Sequence, residues 1–301
     1  MENTNPIISV IINCFNGERF LREAIDSIYA QSHEDWEIIF WDNCSNDKSV
    51  EIASSYDSRI KIFTSDQTIN LGAARNHALD KANGKYLAFL DCDDIFNSNM
   101  FEEQLKLFQN SEFTLGFVYG RCEFFVSDSN IKRKIGFSHE GEILKSGDIF
   151  SDLCKNNFIP WPSTLVDREK LINCGGFPDH FKNSEDYWIF LKLSKKYLVG
   201  ANKLVVSRAR GHIGNLAHSQ YSLAAREDIE IISEYLPDLS AKIGLKYHGV
   251  SLFIAYIKER DYKNALKTII KYGGWRLLIH RIIRKAISPI FSINLNLTIY
   301  D

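Results

Sequence analysis

The chain reads as an α/β protein with a mainly parallel central sheet flanked by helices and a helical C-terminal extension. Three observations point there. Through the first hundred residues, short β-branched apolar runs alternate with segments whose apolar residues recur at helical spacing. The runs have the unbroken apolar character of strands covered on both faces, which is the mark of a parallel sheet built from βαβ units. Three of them end in polar clusters, at the place where open α/β sheets bind ligands.

Taken in order, residues 7–12 (IISVII) form the first strand, followed by the turn residues Asn16 and Gly17. Leu21, Ala24, Ile25 and Ile28 then mark a helix, residues 37–41 a second strand, residues 47–55 a short helix and residues 59–63 a third strand. Leu71, Ala74, Ala78 and Ala82 line one face of the next helix, residues 86–90 give a fourth strand, and Phe101, Leu105 and Phe108 mark a further helix. Residues 117–119 and 123–126 read as two strands, 156–166 as a loop feeding another, and 184–196 as a helix. Beyond about residue 216 the pattern is helical, so a boundary there separates a domain of residues 1–215 from a helical region of residues 216–301, basic and amphipathic toward its end.

Composition narrows the class. With 36 basic and 38 acidic residues in 301, a net charge of −2 and 45% hydrophobic residues, the chain is globular, and nothing in its overall charge suits a nucleic-acid partner. No apolar run reaches the roughly 18 residues of a membrane span, and the start lacks the basic flank of a secretory signal. The six cysteines are scattered, without a CxxC pair, and read as buried thiols of a cytoplasmic protein.

The polar strand ends are Asn13-Cys14-Phe15-Asn16, Asp42-Asn43-Cys44-Ser45 and Asp91-Cys92-Asp93-Asp94. Three carboxylates in four residues repel one another unless a cation sits among them, and hard oxygen donors suit Mg²⁺ or Mn²⁺ bridging to substrate phosphates. The competing reading is a solvated acidic turn capping the next helix. The first turn fits neither GxGxxG nor a Walker A loop, which disfavours dinucleotide-dependent dehydrogenases and P-loop kinases. A phosphatase with a DxD nucleophile pair carries that pair on its first strand, whereas here it ends the fourth.

Five ordered segments carry a resemblance: residues 8–16, 42–47 and 70–76 (NLGAARN), then 82–86 and 89–94. Together they are similar to family 2 glycosyltransferases of the GT-A fold over about residues 6–215. The resemblance implies an inverting transferase that uses a nucleotide-diphosphate sugar, first of all a UDP-sugar. It also implies a glycan or lipid-linked acceptor and a role in cell-surface polysaccharide or glycoconjugate synthesis. It assigns Asn16, Asp42, Asn43, Arg75, Asp91 and Gly176 to the donor, Asn43 standing where the commoner motif has a second acid. Asp91 and Asp93 match the metal-binding DxD pair, with His212 near the diphosphate as a further ligand. Asp186, beside Glu185, matches the base that takes the acceptor proton. For Arg75 the other reading is an exposed helix face, for Asp186 and Glu185 a helix N-terminus that favours acids, and for His212 a structural histidine. Trp161 and Trp188 suit either sugar stacking or the core. The alternative functions are a non-catalytic carbohydrate-binding or scaffold protein of the same fold, or a DxD phosphatase.

The tail differs in character. Residues 262–300 hold seven basic side chains and no acid, with Leu277, Leu278, Ile282 and Ile290 among the cations. That composition suits an interfacial helix on an anionic membrane, peripheral to the inner face of the cytoplasmic membrane. A basic helix packed on the main domain, or an oligomer contact, fits it too.

Overall fold

The computed structural model describes residues 5–127, 136–137, 143–211 and 221–280. Two compact units emerge: the first runs to Asp148 and resumes at Ile159, and the second takes Ile149–Phe158 and the described residues from 221 onward. The sequence boundary near 216 therefore leaves one short piece, residues 149–158, on the other side.

The first unit is built on a nine-stranded sheet. Strands β1 (Ile8–Cys14), β2 (Trp36–Asp42), β3 (Ile60–Thr64) and β4 (Tyr86–Phe89) form its parallel half in the order β3-β2-β1-β4. Every residue of β1 but Asn13 is buried, as a strand covered on both faces requires. Helix α1 (Leu21–Tyr29) buries Leu21, Ala24, Ile25 and Ile28, a single stripe at helical spacing, against Ile8, Val10, Ile12 and Cys14, which alternate onto one face of β1. Each large apolar side chain so buried contributes about 1.5–3 kcal/mol. Helix α2 (Ser49–Ser54) follows β2 and helix α3 (Leu71–Leu79) follows β3. Asn70 caps α3, its side-chain oxygen accepting from the Ala73 N–H at 2.8 Å.

Past β4 the sheet becomes mixed. Its order continues through β8 (Thr164–Asp167), β6 (Leu115–Val126), β9 (Leu198–Gly211) and the two-residue β5 (Ile95–Phe96), with β7 (Gly136–Phe137) paired to β6. β8 runs antiparallel to both β4 and β6, while β6 and β9 are parallel. Residues 117–119 and 123–126 are thus one strand rather than two. Gly120, between them, admits a close neighbour: a Cβ there would sit 2.6 Å from Val206 of β9. β9 itself escapes a periodicity reading because Gly200, Asn202 and Lys203 interrupt it and its pairing with β6 shifts register three times. Helices α4 (Met100–Gln109), α6 (Arg168–Asn173) and α7 (Glu185–Lys196) complete this unit.

The second unit is helical: α5 (Phe150–Leu153), α8 (Tyr221–Ser233), α9 (Leu239–Lys258) and α10 (Tyr262–Tyr272). Ala225, Ile229 and Leu252 join α8 to α9, and Val250, Ile269 and Leu278 join α9 to α10 and the turn of helix after it. Gly244 permits the closest approach, since a Cβ there would lie 2.1 Å from the Cys154 carbonyl oxygen. Among the described residues no helix is long and apolar enough to cross a membrane. All six cysteines are free thiols; Cys14, Cys122 and Cys154 are buried, but Cys44 is exposed and Cys92 and Cys174 are half-buried, so the expectation of six buried thiols holds for three.

Candidate active site

The C-terminal ends of β1 and β2 are laced together by their turns. Asn16 takes a left-handed backbone conformation (φ 52°), its N–H donates to the Ser45 hydroxyl at 2.9 Å, and its side-chain oxygen accepts from the Asn46 N–H at 2.9 Å. Asp47 accepts from the Glu18 and Ser49 N–H groups, and the Ser49 hydroxyl accepts from the Gly17 N–H. Asp42 is buried at the end of β2, where its carboxylate accepts from the Ser45 N–H at 3.1 Å. Asn43 is clamped from both ends: its amide donates to the Ile69 carbonyl at 2.8 Å and accepts from the Ile69 N–H at 3.1 Å. An aspartate could not make the donating half of that pair. Phe15, on the first turn, is 53% exposed.

The turn after β4 carries the acids. Asp91 and Asp93 are half-buried and Asp94 is buried. Asp94 accepts from the Arg210 N–H at 2.9 Å. Burial and the charges of Asp91 and Asp93 push its carboxyl well above the usual range. The Arg210 guanidinium lies over Phe20 and Phe125, donates to the Asp93 carbonyl at 2.8 Å and pairs with Glu23 at 2.8 Å. Arg210 therefore holds the backbone of the acidic turn from the neighbouring strand. Cys92, between the two acids, stands where the β1–β4 register would place it opposite Cys14. Its hydrogen bond to Cys14, together with burial, raises its pKa.

Arg75 sits at the centre. It is 4% exposed, donates to Glu185 Oε1 at 2.7 Å and lies 3.6 Å from Asp91 Oδ1. Its guanidinium stacks 4.6 Å over the Trp161 ring and 5.7 Å from Phe177. The exposed-face reading of Arg75 fails on this burial. Trp161 belongs to the core, buried and stacked 4.5 Å from Phe89, so it serves as a floor for Arg75 and not as a sugar platform. Asp91 keeps nearly half its side-chain surface open to the cleft, yet the protein packed around it removes enough solvent to raise its pKa to about 6. Arg75 opposes that shift, and Asp93 and Glu185 add to it.

Helix α3 also docks the loop that leads to α7. Asn76 donates to the Phe177 carbonyl and accepts from the Phe177 N–H, both at 2.8 Å, and Asn70 donates to the Asp179 carbonyl. Gly72 faces the Pro178 carbonyl at a distance no side chain would allow. Gly175 and Gly176 both have positive φ, and a Cβ on Gly176 would meet Asn76 Oδ1 at 2.7 Å. Glu185 and Asp186 open α7 from that loop. Glu185 is buried, with Oε2 lacking a hydrogen-bond partner, and Asp186 is half-buried with Oδ1 accepting from the Tyr187 N–H at 2.6 Å.

The predicted residues Arg75, Asp91 and Glu185 thus meet directly. Asp93 and Asp186 adjoin two of them in sequence, Gly176 shapes the loop that brings α7 in, and Asn16, Asp42 and Asn43 occupy the two turns beside them. His212 lies outside the described residues. Sequence reasoning missed Arg210, although Arg208 and Arg210 alternate behind Val205-Val206 as strand residues do. It missed Asn76 as well, whose partners lie a hundred residues away.

A divalent cation suits the acidic turn. Among the described residues no three or more His, Cys, Asp or Glu side chains could hold an ion. Mg²⁺ and Mn²⁺, however, are commonly held by one or two carboxylates and completed by substrate phosphates. Asp91 and Asp93, two residues apart on the turn after β4, supply that donor set.

With this geometry in place, comparison with known proteins gives the class. Residues 9–188 match the family described as Glycosyl transferase family 2, and the chain belongs to that family. It is 27% identical over 267 residues to the Escherichia coli UDP-Glc:alpha-D-GlcNAc-diphosphoundecaprenol beta-1,3-glucosyltransferase WfgD, covering 87% of this chain and 98% of that one. It is 32% identical over 173 residues to the putative teichuronic acid biosynthesis glycosyltransferase TuaG of Bacillus subtilis, covering 56% of this chain and 66% of that protein. Among solved structures, S. aureus TarS 1-349 in complex with UDP-GlcNAc matches with a TM-score of 0.60 at 17% identity, over 88% of this chain and 91% of that one. The mannosyltransferase PcManGT from Pyrobaculum calidifontis, in complex with GDP-Man and Mn²⁺, matches with a TM-score of 0.62 at 16% identity, over 97% and 89%. The fold is that of these GT-A enzymes, and the chain is a glycosyltransferase.

Proposed function

We propose that this glycosyltransferase moves a single sugar, with inversion, from a UDP-sugar to a hydroxyl of a glycan or lipid-linked acceptor in cell-surface polysaccharide or glycoconjugate synthesis. The observation that carries the reading is the Arg75 bridge, which ties the acidic turn after β4 to the acid-bearing start of α7. Donor-side and acceptor-side carboxylates are thereby held on one rigid support. The name of the Escherichia coli relative supports the choice of UDP-sugar and of a diphosphate-lipid acceptor.

In this reading Asn16, Asp42 and Asn43 line the nucleotide end, and Asp91 and Asp93 would hold Mg²⁺ or Mn²⁺. The cation, when bound, neutralises charge gathering on the leaving group. Asp186 accepts the proton of the acceptor hydroxyl as its oxygen bonds to the anomeric carbon and the bond to the diphosphate breaks. Glu185, held by Arg75, fixes the helix end that presents Asp186, and Gly176 lets the preceding loop close on α3. The site is cytoplasmic, where nucleotide sugars are made, and works beside the inner membrane face that carries lipid-linked acceptors.

The test is a thermal-shift panel of nucleotide sugars with and without Mn²⁺. A donor at a hundred times its dissociation constant stabilises the fold by about 2.7 kcal/mol, which raises the melting temperature by roughly 5–10 °C. A UDP-sugar shift that needs Mn²⁺ and vanishes in Asp93→Ala supports the assignment. No shift with any nucleotide sugar, or equal shifts with chelator, overturns it.

A further inference from the structure

The second unit carries an exposed apolar surface of its own. It holds ten of the sixteen large hydrophobic side chains that stand exposed among the described residues, although it is the smaller unit. Three of them lie on α10: Tyr262 is 64% exposed, Leu266 55% and Ile270 68%. At about 100° per residue, with Tyr262 set at 0°, Leu266 falls near 40° and Ile270 near 80°. Lys263, Lys267 and Lys271, all exposed, follow at about 100°, 140° and 180°. Ala265, Thr268 and Ile269, buried against the rest of the unit, fill the remaining arc, at about 300°, 240° and 340°.

α10 thus has three stripes: one packed inward, one apolar and open, one cationic and open. A surface that merely stays soluble would scatter its lysines among acids, and residues 262–280 contain no acid. Just past the helix, Trp275 (50% exposed), Arg276 and Ile279 (53%) repeat the pairing of apolar and basic side chains. The C-terminus of α10 ends cleanly at Gly273 (φ 71°), and Asp261 caps its start by accepting from the Asn264 N–H at 3.1 Å, so the stripes lie on an anchored helix.

We propose that this face of α10 is a docking surface for an anionic lipid bilayer, with Tyr262, Leu266 and Ile270 entering the interface and the three lysines meeting lipid phosphates. Charge decides the occupant. A row of one sign beside an apolar row suits an extended anionic plane, where aromatic and aliphatic groups sink to the acyl boundary and ammonium groups stay at the headgroups. The proposal deepens the lipid-linked acceptor reading, on which its biological sense rests. Its test needs neither donor nor acceptor, so the two can fail separately.

The experiment is co-sedimentation of the full chain with phosphatidylglycerol-containing vesicles and with neutral phosphatidylcholine vesicles, at low and high salt. Two variants accompany it: Lys263→Gln/Lys267→Gln/Lys271→Gln and Leu266→Ser/Ile270→Ser. The native chain binds anionic vesicles and not neutral ones. Each basic residue at such a surface is worth about fivefold, so the triple variant binds about a hundredfold more weakly and loses most of the salt dependence. The double variant loses the binding that survives high salt. Both keep the native melting temperature, because every altered side chain faces solvent. The proposal is overturned if the native chain stays in the supernatant with anionic vesicles at low salt, or if either variant binds as the native chain does. It is overturned equally if vesicle binding emerges only after removal of residues 281–301, which would make the tail the occupant. Sedimentation equilibrium supplies the last arm: a native dimer that the variants break, without vesicle binding, makes the face a contact between copies.

Discussion

Replacing Arg75 by methionine keeps most of the side chain's stem and removes its charge. The change strips Glu185 of its partner at 2.7 Å, with both side chains 5% exposed, and Asp91 of its cation at 3.6 Å. Removing one partner of a buried ion pair costs about 3–5 kcal/mol, because the remaining charge stays desolvated. The lost stacking on Trp161 adds about 0.5–2 kcal/mol. Removing both charges is far less costly, since two apolar side chains of similar volume need no solvation. Arg75→Met/Glu185→Met is therefore expected to be more stable than Arg75→Met alone, with a coupling of about 2–4 kcal/mol between the two sites. Urea unfolding followed by tryptophan fluorescence measures it, and four of the five tryptophans (Trp36, Trp41, Trp161 and Trp188) report on the unit concerned. A single-variant loss below about 1 kcal/mol, or additive effects in the double variant, would refute the view of Arg75 as the buried clamp of the site.

Asp186→Asn should leave the donor-induced thermal shift intact while turnover falls by about 10²–10⁴, the range for loss of a general base; turnover within a few-fold of native would mean another group takes the proton. Asp91→Asn should flatten stability against pH. A carboxyl raised to about 6 from an ordinary ~3.9 favours folding below about pH 4 and loses that contribution as pH climbs through 6. The variant should then be the more stable protein at pH 7.5, by on the order of 1 kcal/mol once screening at its half-open site is allowed for, and unfolding midpoints from pH 4 to 8 read the difference. Gly176→Ala should cost about 1–3 kcal/mol, and more than Gly147→Ala, because both glycines have positive φ but only Gly176 also faces Asn76 Oδ1; equal losses would leave strain as the whole effect.

What the sequence disclosed follows from how local each signal is. Strands β1 to β4 and the helices between them are legible because burial on both faces leaves unbroken apolar runs, and α1 because its stripe faces a single sheet surface. β9 was not, since its place in the sheet depends on a glycine in another strand, Gly120, and its register slips past Leu115, Tyr119 and Arg121. The site shows the same division. The acids after β4 announce themselves by crowding within four residues. The burial of Arg75, the floor made by Trp161 and the brace from Arg210 join residues 86 to 117 positions apart, and no window on the sequence contains both ends. Segment 82–86 belongs to the scaffold, not to the chemistry: Gly84 passes so close to β1 that a Cβ would reach the Ser9 backbone, and its N–H donates to the Ser9 hydroxyl at 2.8 Å.

The segment Asn70–Asn76 explains why a glycosyltransferase site of this kind carries a motif so far from its carboxylates. Gly72, Arg75 and Asn76 stand at i, i+3 and i+4 on one side of α3 with Asn70 at its N-cap, and each meets the 177–185 segment: Asn70 through a carbonyl, Gly72 through a close backbone approach, Arg75 through a buried carboxylate and Asn76 through a two-way amide clamp. The same Arg75 touches Asp91. One helix therefore sets the position of the acidic turn and of the helix end that bears Asp186, with no flexible connection between them. Misplacing reacting groups by an ångström can cost a hundredfold in rate. If the proposed roles of Asp91, Asp93 and Asp186 hold, a support that fixes both groups through seven residues matters to the chemistry as much as the carboxylates do, and conservative changes at Asn70 or Asn76 should lower turnover, measured by steady-state kinetics, more than donor affinity, measured by thermal shift.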